Sequence, residues 1–282
     1  MYDLHAHSNY SDGILRPQAV VSRAKTQGVT ALALTDHDTL GGLAEARQEA
    51  LVQGIELIAG IEFSCLWNGI GIHVVGLQVD PDSRVMQEAV TSQHQARERR
   101  AETIAAKLEK AGIAGALDGA RQVAGEGAVL GRPHFAKFLV AEGHCKSINA
   151  AFKRYLGAGK PGDVKQLWPS VGEAVDWIRA AGGIAVLAHP DKYKMTRTKL
   201  GRLLQEFVEA GGEAMEVVSG QQSPNTTRDM ALIANRFELY ASCGSDFHVP
   251  DQPWQELGGY SPLPDNCQPV WQLWSRSGMV AS

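Results

Sequence analysis

Short apolar runs alternate with stretches of helical period from the first residues onward. A strand runs into Leu4, a helix is predicted over about Pro17 to Gln27, and ALALTDHD reads as a buried strand that leaves through polar residues. A second helix follows over about Leu43 to Gln53, and then ELIAGIEFS and GIGIHVVGL form two strand-like runs rich in Ile and Val. From Asp82 to about Ala158 the period turns helical, most clearly in SQHQARERRAETIAAKLEKAG, with no strand among the later segments. The Gly- and Pro-rich LGAGKPGDV then suits a loop returning the chain to the sheet. Alternation resumes with helices over about Val171 to Ala181, Thr198 to Ala210 and Asn225 to Arg236, interleaved with strands GIAVLAHP, AMEVVS and ELYASCGSDFH. Seven strands result, which predicts an α/β chain folded as a distorted (β/α)7 barrel (residues 1–81 and 159–282) carrying a helical insertion (residues 82–158). Trp271 and Trp274, three residues apart, predict a C-terminal packing helix with both rings on one face.

Composition narrows the class. The 282 residues, 44% hydrophobic and 21% charged, suffice for one large domain or a barrel with an inserted subdomain, and they exclude a disordered chain. With 27 basic against 31 acidic residues the net charge is −4, so no overall positive field recruits nucleic acid, and an anionic substrate must be held by specific groups. Cys65, Cys145, Cys243 and Cys267 form no CxxC pair, which argues against a disulfide framework or a zinc knuckle. MYDLHAHS lacks a basic n-region and an apolar h-region, and no window approaches the roughly 20 apolar residues that span a bilayer. A cytoplasmic protein with no membrane attachment and no obligatory protein partner is the expectation.

Polar residues recur where apolar runs end: His5 and His7 with Asp12, Asp36-His37-Asp38, Glu62, His73, His189, and Asp246 with His248. In a barrel of parallel strands the carboxyl ends form one rim, so these residues converge into one cluster. In an extended segment residues i and i+2 point to the same side, which lets His5 and His7 grip one ion. Imidazole and carboxylate suit zinc, manganese or iron, and a carboxylate such as Glu62 or Asp246 can bridge two ions. Eight or so candidates exceed the needs of a single ion with an open position. Bland readings stand beside these: His94 on a charged helix faces solvent, His73 alone is as well read as a satisfied core histidine, and Asp36 or Asp38 is an N-cap for the following helix.

In order along the chain, DLHAHSNYSDG, LTDHD, GIE, IHVVG, AHP and GSDFH closely resemble the polymerase and histidinol phosphatase (PHP) family, over the barrel portions of nearly the whole sequence. GRPHFAKFLV, the helical insert and the GKPG loop resemble the subgroup that contains 3′,5′-nucleoside bisphosphate phosphatases and a 5′-to-3′ exoribonuclease. The resemblance implies two or three ions, Mn2+ first and Fe2+ or Zn2+ as alternatives. His5, His7, Glu62 and Asp246 would hold one ion, Glu62 would bridge to a second held by His73 and His189, and Asp12, His37 and His248 would hold a third. His134 competes with His189 for the second ion, and His189 is preferred because it ends a strand whereas His134 opens a helix.

Arg132 and His134 become candidates for substrate phosphate, by the fork of a guanidinium and the free N–H groups of a helix start, with Lys160 in GKPG as a further candidate. The competing reading is an ordinary helix start with Pro133 at its first position and a solvated loop lysine. The implied reaction is phosphate-ester hydrolysis by water that the metals activate, with Glu62, His189 and Asp246 as the catalytic set and no covalent intermediate. Neither GxSxG nor GxxxxGK[ST] occurs. The expected substrate is a nucleotide bearing a terminal phosphate, a 3′,5′-bisphosphate or a short 5′-phosphorylated RNA, held by a 5′-phosphate pocket in the insertion. Alternatives are a histidinol phosphate phosphatase, a non-catalytic PHP module, and last an amidohydrolase, for which no lysine follows a strand where a carbamylated bridging ligand is expected.

Overall fold

The computed structural model describes residues 1–125, 127–164 and 168–274. Seven strands form one sheet in chain order: β1 (Tyr2–Ala6), β2 (Ala31–Leu34), β3 (Glu56–Trp67), β4 (Ile70–Leu77), β5 (Ile184–Leu187), β6 (Ala214–Ser219) and β7 (Tyr240–Gly244). The ends of the sheet meet where the His7 amide donates to the Phe247 carbonyl at 2.9 Å and the Asp246 amide donates to the His5 carbonyl at 2.9 Å, so the barrel nearly closes.

Alternation within the strands splits the apolar residues between two layers. Ala31 and Ala33 join a cluster with Leu4, Ile58, Val75 and Val186 inside the ring. Leu32 and Leu34 point outward, against α1 (Pro17–Thr26) and α2 (Leu43–Gln53), where they meet Val20, Val21, Ala24 and Ala46. Burying a side chain such as Leu32 stabilises the fold by roughly 1.5–3 kcal/mol. Helix starts follow local chemistry: α7 (Val171–Ala180) opens on a capping box between Ser170 and Glu173, and α9 (Pro224–Arg236) on the Ser223 hydroxyl with Pro224 at the first position. α8 (Arg197–Glu209) is capped by Thr196 in the same way.

One strand departs from the parallel expectation. β3 and β4 are joined by Asn68 and Gly69 alone, both at positive φ (46° and 75°), and a two-residue turn of that kind makes a hairpin. β4 therefore runs antiparallel to both β3 and β5, while the other pairs are parallel. As a result His73 reaches the rim from near the start of its strand, and Glu62 from the middle of β3.

Among the described residues between Asp82 and Ala158 there is no strand. α3 (Arg84–Lys110), α4 (Ala116–Ala124), α5 (Arg132–Ala141) and α6 (Ile148–Ala151) carry their own apolar cluster around Ile104, Leu108, Phe135 and Leu139. α3 serves both bodies, since Met86 and Ala89 at its start pack into the barrel's core. At the other end of the described chain, Val270–Leu273 is a short 3-10 turn. Its three-residue period puts Trp271 stacked on Tyr2, ring centroids 4.3 Å apart, and Trp274 edge-on to the same ring at 5.3 Å. No helix of the described residues is long and apolar enough to cross a membrane.

Candidate metal centre

Residues from six of the seven strands and their loops converge at one end of the barrel. The centre of the cluster is the fully buried Glu62 carboxylate. Its Oε2 lies 3.2 Å from His5 Nε2, 3.3 Å from His7 Nε2 and 3.0 Å from His37 Nδ1. Its Oε1 lies 2.9 Å from His73 Nδ1 and 3.0 Å from His189 Nε2. Asp246 Oδ1 faces His7 Nε2 at 3.5 Å and His5 Nε2 at 3.6 Å, and Asp12 faces His248 Nε2 at 3.1 Å.

Three groups have ligand atoms close enough to surround an ion: His7, Asp12, His37 and His248; His5, His7 and Asp246; and His37, Glu62 and His73. The first holds the expected Asp12, His37 and His248 together with His7, and the second holds His5, His7 and Asp246 without the Glu62 expected beside them. In the third His37 stands where His189 was expected, although His189 also faces Glu62.

The donor set fits divalent ions. His7 Nδ1, Asp12 Oδ1, His37 Nδ1, Glu62 Oε2 and His189 Nδ1 are buried without a well-formed hydrogen bond, an accumulation that a folded interior otherwise avoids. Burial opposes ionisation of Glu62, yet His37, His5 and His73 more than overcome it and hold the carboxyl well below the usual range. Burial likewise opposes a charge on His7, but Asp246 and Glu62 outweigh it and raise its pKa to about 10. For His37 burial prevails and its pKa falls. Imidazoles crowded around carboxylates in this way offer lone pairs once the protons are replaced by metal.

Side chains behind the cluster fix its loops. Asp36 accepts from the Ser8 amide (2.7 Å), the Ser8 hydroxyl (2.6 Å) and the Ser11 hydroxyl (2.7 Å), which shapes the loop carrying Asp12. Asp38 accepts from the Ser64 amide at 2.8 Å and from Gln93 at 2.6 Å. Neither aspartate caps α2, whose N-cap is Gly42. His94 is exposed as expected. Lys192, in the turn after β5, places Nζ 2.6 Å from Asp246 Oδ2, so a lysine does follow a strand to this rim. It forms an ion pair there with Asp246.

A cavity of about 300 Å³ opens from the cluster toward the helices, lined by Asp12, His37 and His73 on one side and by Arg97, Arg100 and Arg132 on the other. Trp168 lies against two of these guanidinium groups, Arg97 and Arg100, each 5.2 Å from its ring centroid. Burial and then the charges of Arg132 and Arg97 push the Arg100 pKa down to about 9, which leaves it cationic at neutral pH, and burial also lowers Arg132. Like charges held this close favour an anion between them.

Arg132, one of the candidates from the sequence, lines this cavity. The structure does not bring His134 or Lys160 to the cavity wall. His134 turns Nδ1 back to accept from the Gly131 amide at 3.0 Å, capping its own helix, and Lys160 is exposed in a turn. Sequence reasoning missed Arg97 and Arg100 because they sit in a charged helical run that reads as solvent-facing. The signal was there: Gln93, Arg97 and Arg100 share one face of α3 with the buried Ile104. Glu216 was missed as well, although it is the one charge in the otherwise uncharged strand AMEVVS.

Comparison with known proteins agrees with this geometry. A profile of the PHP domain matches residues 3–162. The 5′-3′ exoribonuclease Rnm of Escherichia coli K12 is 46% identical over 278 residues, 98% of this chain and 94% of that protein. The 3′,5′-nucleoside bisphosphate phosphatase of Chromobacterium violaceum is 44% identical over 270 residues, 96% of this chain and 95% of that one. A solved structure from Chromobacterium violaceum, described as an amidohydrolase with bound sulfate and no metal, superposes with a TM-score of 0.91 at 43% identity, covering 98% of this chain and 96% of that one. A metal-dependent phosphoesterase structure from Bifidobacterium adolescentis gives 0.80 at 26% identity, covering 97% and 94%. With the ordered histidine and carboxylate motifs assembled on one rim, and with these relatives spanning nearly all of it, the chain belongs to the PHP family.

Proposed function

We propose that this protein is a metal-dependent hydrolase of nucleotide phosphate esters. Its substrate is a 3′,5′-nucleoside bisphosphate that loses the 3′-phosphate, or a short 5′-phosphorylated RNA that is degraded from its 5′ end. The observation that carries this reading is the single cavity shared by the imidazole and carboxylate cluster and three arginines. The names of the exoribonuclease and phosphatase relatives support it, as does the sulfate bound to a structural relative, a tetrahedral dianion like phosphate.

The proposed ligands are His5, His7, Asp12, His37, Glu62, His73, His189, Asp246 and His248, for two or three ions, Mn2+ first and Fe2+ or Zn2+ as alternatives. When bound, such ions supply Lewis acidity to phosphoryl oxygens and activate water near neutral pH. The chain's own residues do the rest. Arg100 and Arg132, which form no ion pair with a carboxylate among the described residues, grip the terminal 5′-phosphate through forked N–H groups. That grip leaves the next phosphorus over Glu62, whether it is a monoester or a diester. Asp246, whose Oδ2 is paired with Lys192, takes a proton from the attacking water and passes it toward the leaving oxygen, and Glu62 and His189 complete the catalytic set. On this reading the insertion (82–158) supplies Arg97, Arg100 and Arg132, and the barrel (1–81 and 159–282) supplies the ligands. All four cysteines are free, which supports a reducing cytoplasm as the compartment.

Phosphate release from adenosine 3′,5′-bisphosphate, AMP and histidinol phosphate, compared with nucleotide release from 5′-phosphorylated RNA, tests the assignment with Mn2+ present. Preference for the bisphosphate or the RNA supports it. Preference for histidinol phosphate, whose ammonium group three arginines should repel, overturns the substrate class and leaves the barrel.

A further inference from the structure

Glu216 sits within a strand that contributes none of the proposed ligands. β6 is buried along its whole length, and Glu216 is 2% exposed. The register of β6 against β7 shifts between Glu216 and Val218, an irregularity of the kind that re-aims a side chain. Both carboxylate oxygens then find partners outside β6, on β1 and in the turn after β5. Oε1 lies 2.6 Å from His5 Nδ1, and Oε2 accepts from the His189 main-chain amide at 2.7 Å.

We propose that Glu216 is the positioning residue of the metal centre, setting the His5 tautomer and anchoring the backbone turn that presents His189. A carboxylate can only accept, so Nδ1 keeps its proton, and Nε2, which faces Glu62 at 3.2 Å and His7 Nε2 at 3.0 Å, is the nitrogen left to bind metal. His189 has φ 30° and ψ 55°, a left-handed conformation that a residue with a side chain adopts only when its surroundings hold it there. Its amide has Glu216 as the acceptor, so one side chain orders ligands from β1 and from the end of β5 together. The assignment rests on the cluster being a metal site and is independent of the substrate.

Glu216→Gln is the discriminating variant because it keeps size and shape. An amide has one accepting and one donating end, so it cannot serve both His5 Nδ1–H and the His189 amide. If the NH2 end turns to His5, it selects the tautomer protonated at Nε2, which cannot bind metal through Nε2, the nitrogen that faces the cluster. Mn2+ titration by calorimetry, with circular dichroism and thermal unfolding in EDTA as the check on folding, should show about 10- to 100-fold weaker binding or one ion fewer in E216Q. Binding equal to wild type in affinity and stoichiometry overturns the proposal. If E216Q does not fold, the wild-type protein decides: long-range proton–nitrogen spectra of histidine-labelled protein loaded with Zn2+ should show His5 protonated at Nδ1, and metal at Nδ1 overturns it. Wild type that binds no Mn2+ would instead sink the metal-site reading, which keeps the two failures distinct.

Discussion

Asp38 and Arg97 form a buried ion pair, with Arg97 Nε 2.6 Å from Asp38 Oδ2, and it links the loop that carries His37 to the arginine wall of the cavity. Arg97 also donates to the Ser64 hydroxyl at 2.9 Å and the Leu130 carbonyl at 3.2 Å, so its position is over-determined from three sides. Asp38 itself has φ 54°, outside the usual range for a residue with a side chain. Removing one member of a buried pair strands the other charge, which costs about 3–5 kcal/mol. Asp38→Asn should therefore lower stability by about that much in urea unfolding. Adding Arg97→Met to it should recover part of the loss, because no charge is then left unpaired. A double variant no more stable than Asp38→Asn would show that the pair is not the source of the cost.

Arg132 leads to a test of substrate grip. Its NH1 donates a long 3.4 Å bond to the Leu156 carbonyl, its guanidinium lies 5.9 Å from the Phe152 ring centroid, and among the described residues it forms no ion pair with a carboxylate. Hydrogen bonds to charged groups are worth about 1.5–3 kcal/mol. Arg132→Ala should lower kcat/KM on 5′-phosphorylated substrates by about 10- to 100-fold, on that energy, and leave turnover of substrates with a 5′-hydroxyl nearly unchanged. Equal losses on both classes would remove the 5′-phosphate pocket from the account.

The barrel was legible because its strands end in chemistry: a short apolar run followed by His or Asp marks both the element and the rim in the same few residues. Helix starts expected at Val171, Thr198 and Asn225 fall within one residue of those found, and each lies just after a capping hydroxyl that the structure shows at Ser170, Thr196 or Ser223. The arginines behind the site were not legible. Whether a charged helix face meets water or a second body depends on where the helix docks, and α3 buries Arg97 only because β3 and the start of α5 come to meet it. The strand directions carried one readable exception, the Asn68-Gly69 turn, whose two residues leave no room for a crossover. Glu216 needed the strand order itself, because its partners lie 211 and 27 residues away.

Metal loading should be visible in stability as well as in activity. Only the folded chain brings the three candidate groups together, so ions bind the native state preferentially. At Mn2+ 100-fold above its dissociation constant a single site adds about 2.7 kcal/mol. The unfolding midpoint should rise with Mn2+ and return to the starting value in excess EDTA. A midpoint insensitive to Mn2+, Fe2+ and Zn2+ alike would count against the cluster as a binding site.

His134 should make the metal-free protein acid-sensitive in a defined window. Burial, with Lys137 and Arg97 adding to it against the pull of Asp12, lowers its pKa from 6.5 to about 4. A depressed histidine is held neutral in the folded state, so between those values the unfolded chain binds more protons than the native one. Stability is then full above pH 6.5, falls as the pH drops below it, and stops falling on this account below about 4. The loss at pH 5 amounts to about 2 kcal/mol. In His134→Gln the amide oxygen can still accept from Gly131, and that contribution disappears. Urea unfolding in EDTA at pH 7.5 and pH 5 should show wild type losing about 2 kcal/mol more than the variant across the interval. The cluster histidines titrate in both proteins and cancel in the difference. Equal losses would mean that His134 takes up its proton without resistance, and that its ring is not held in the capping position.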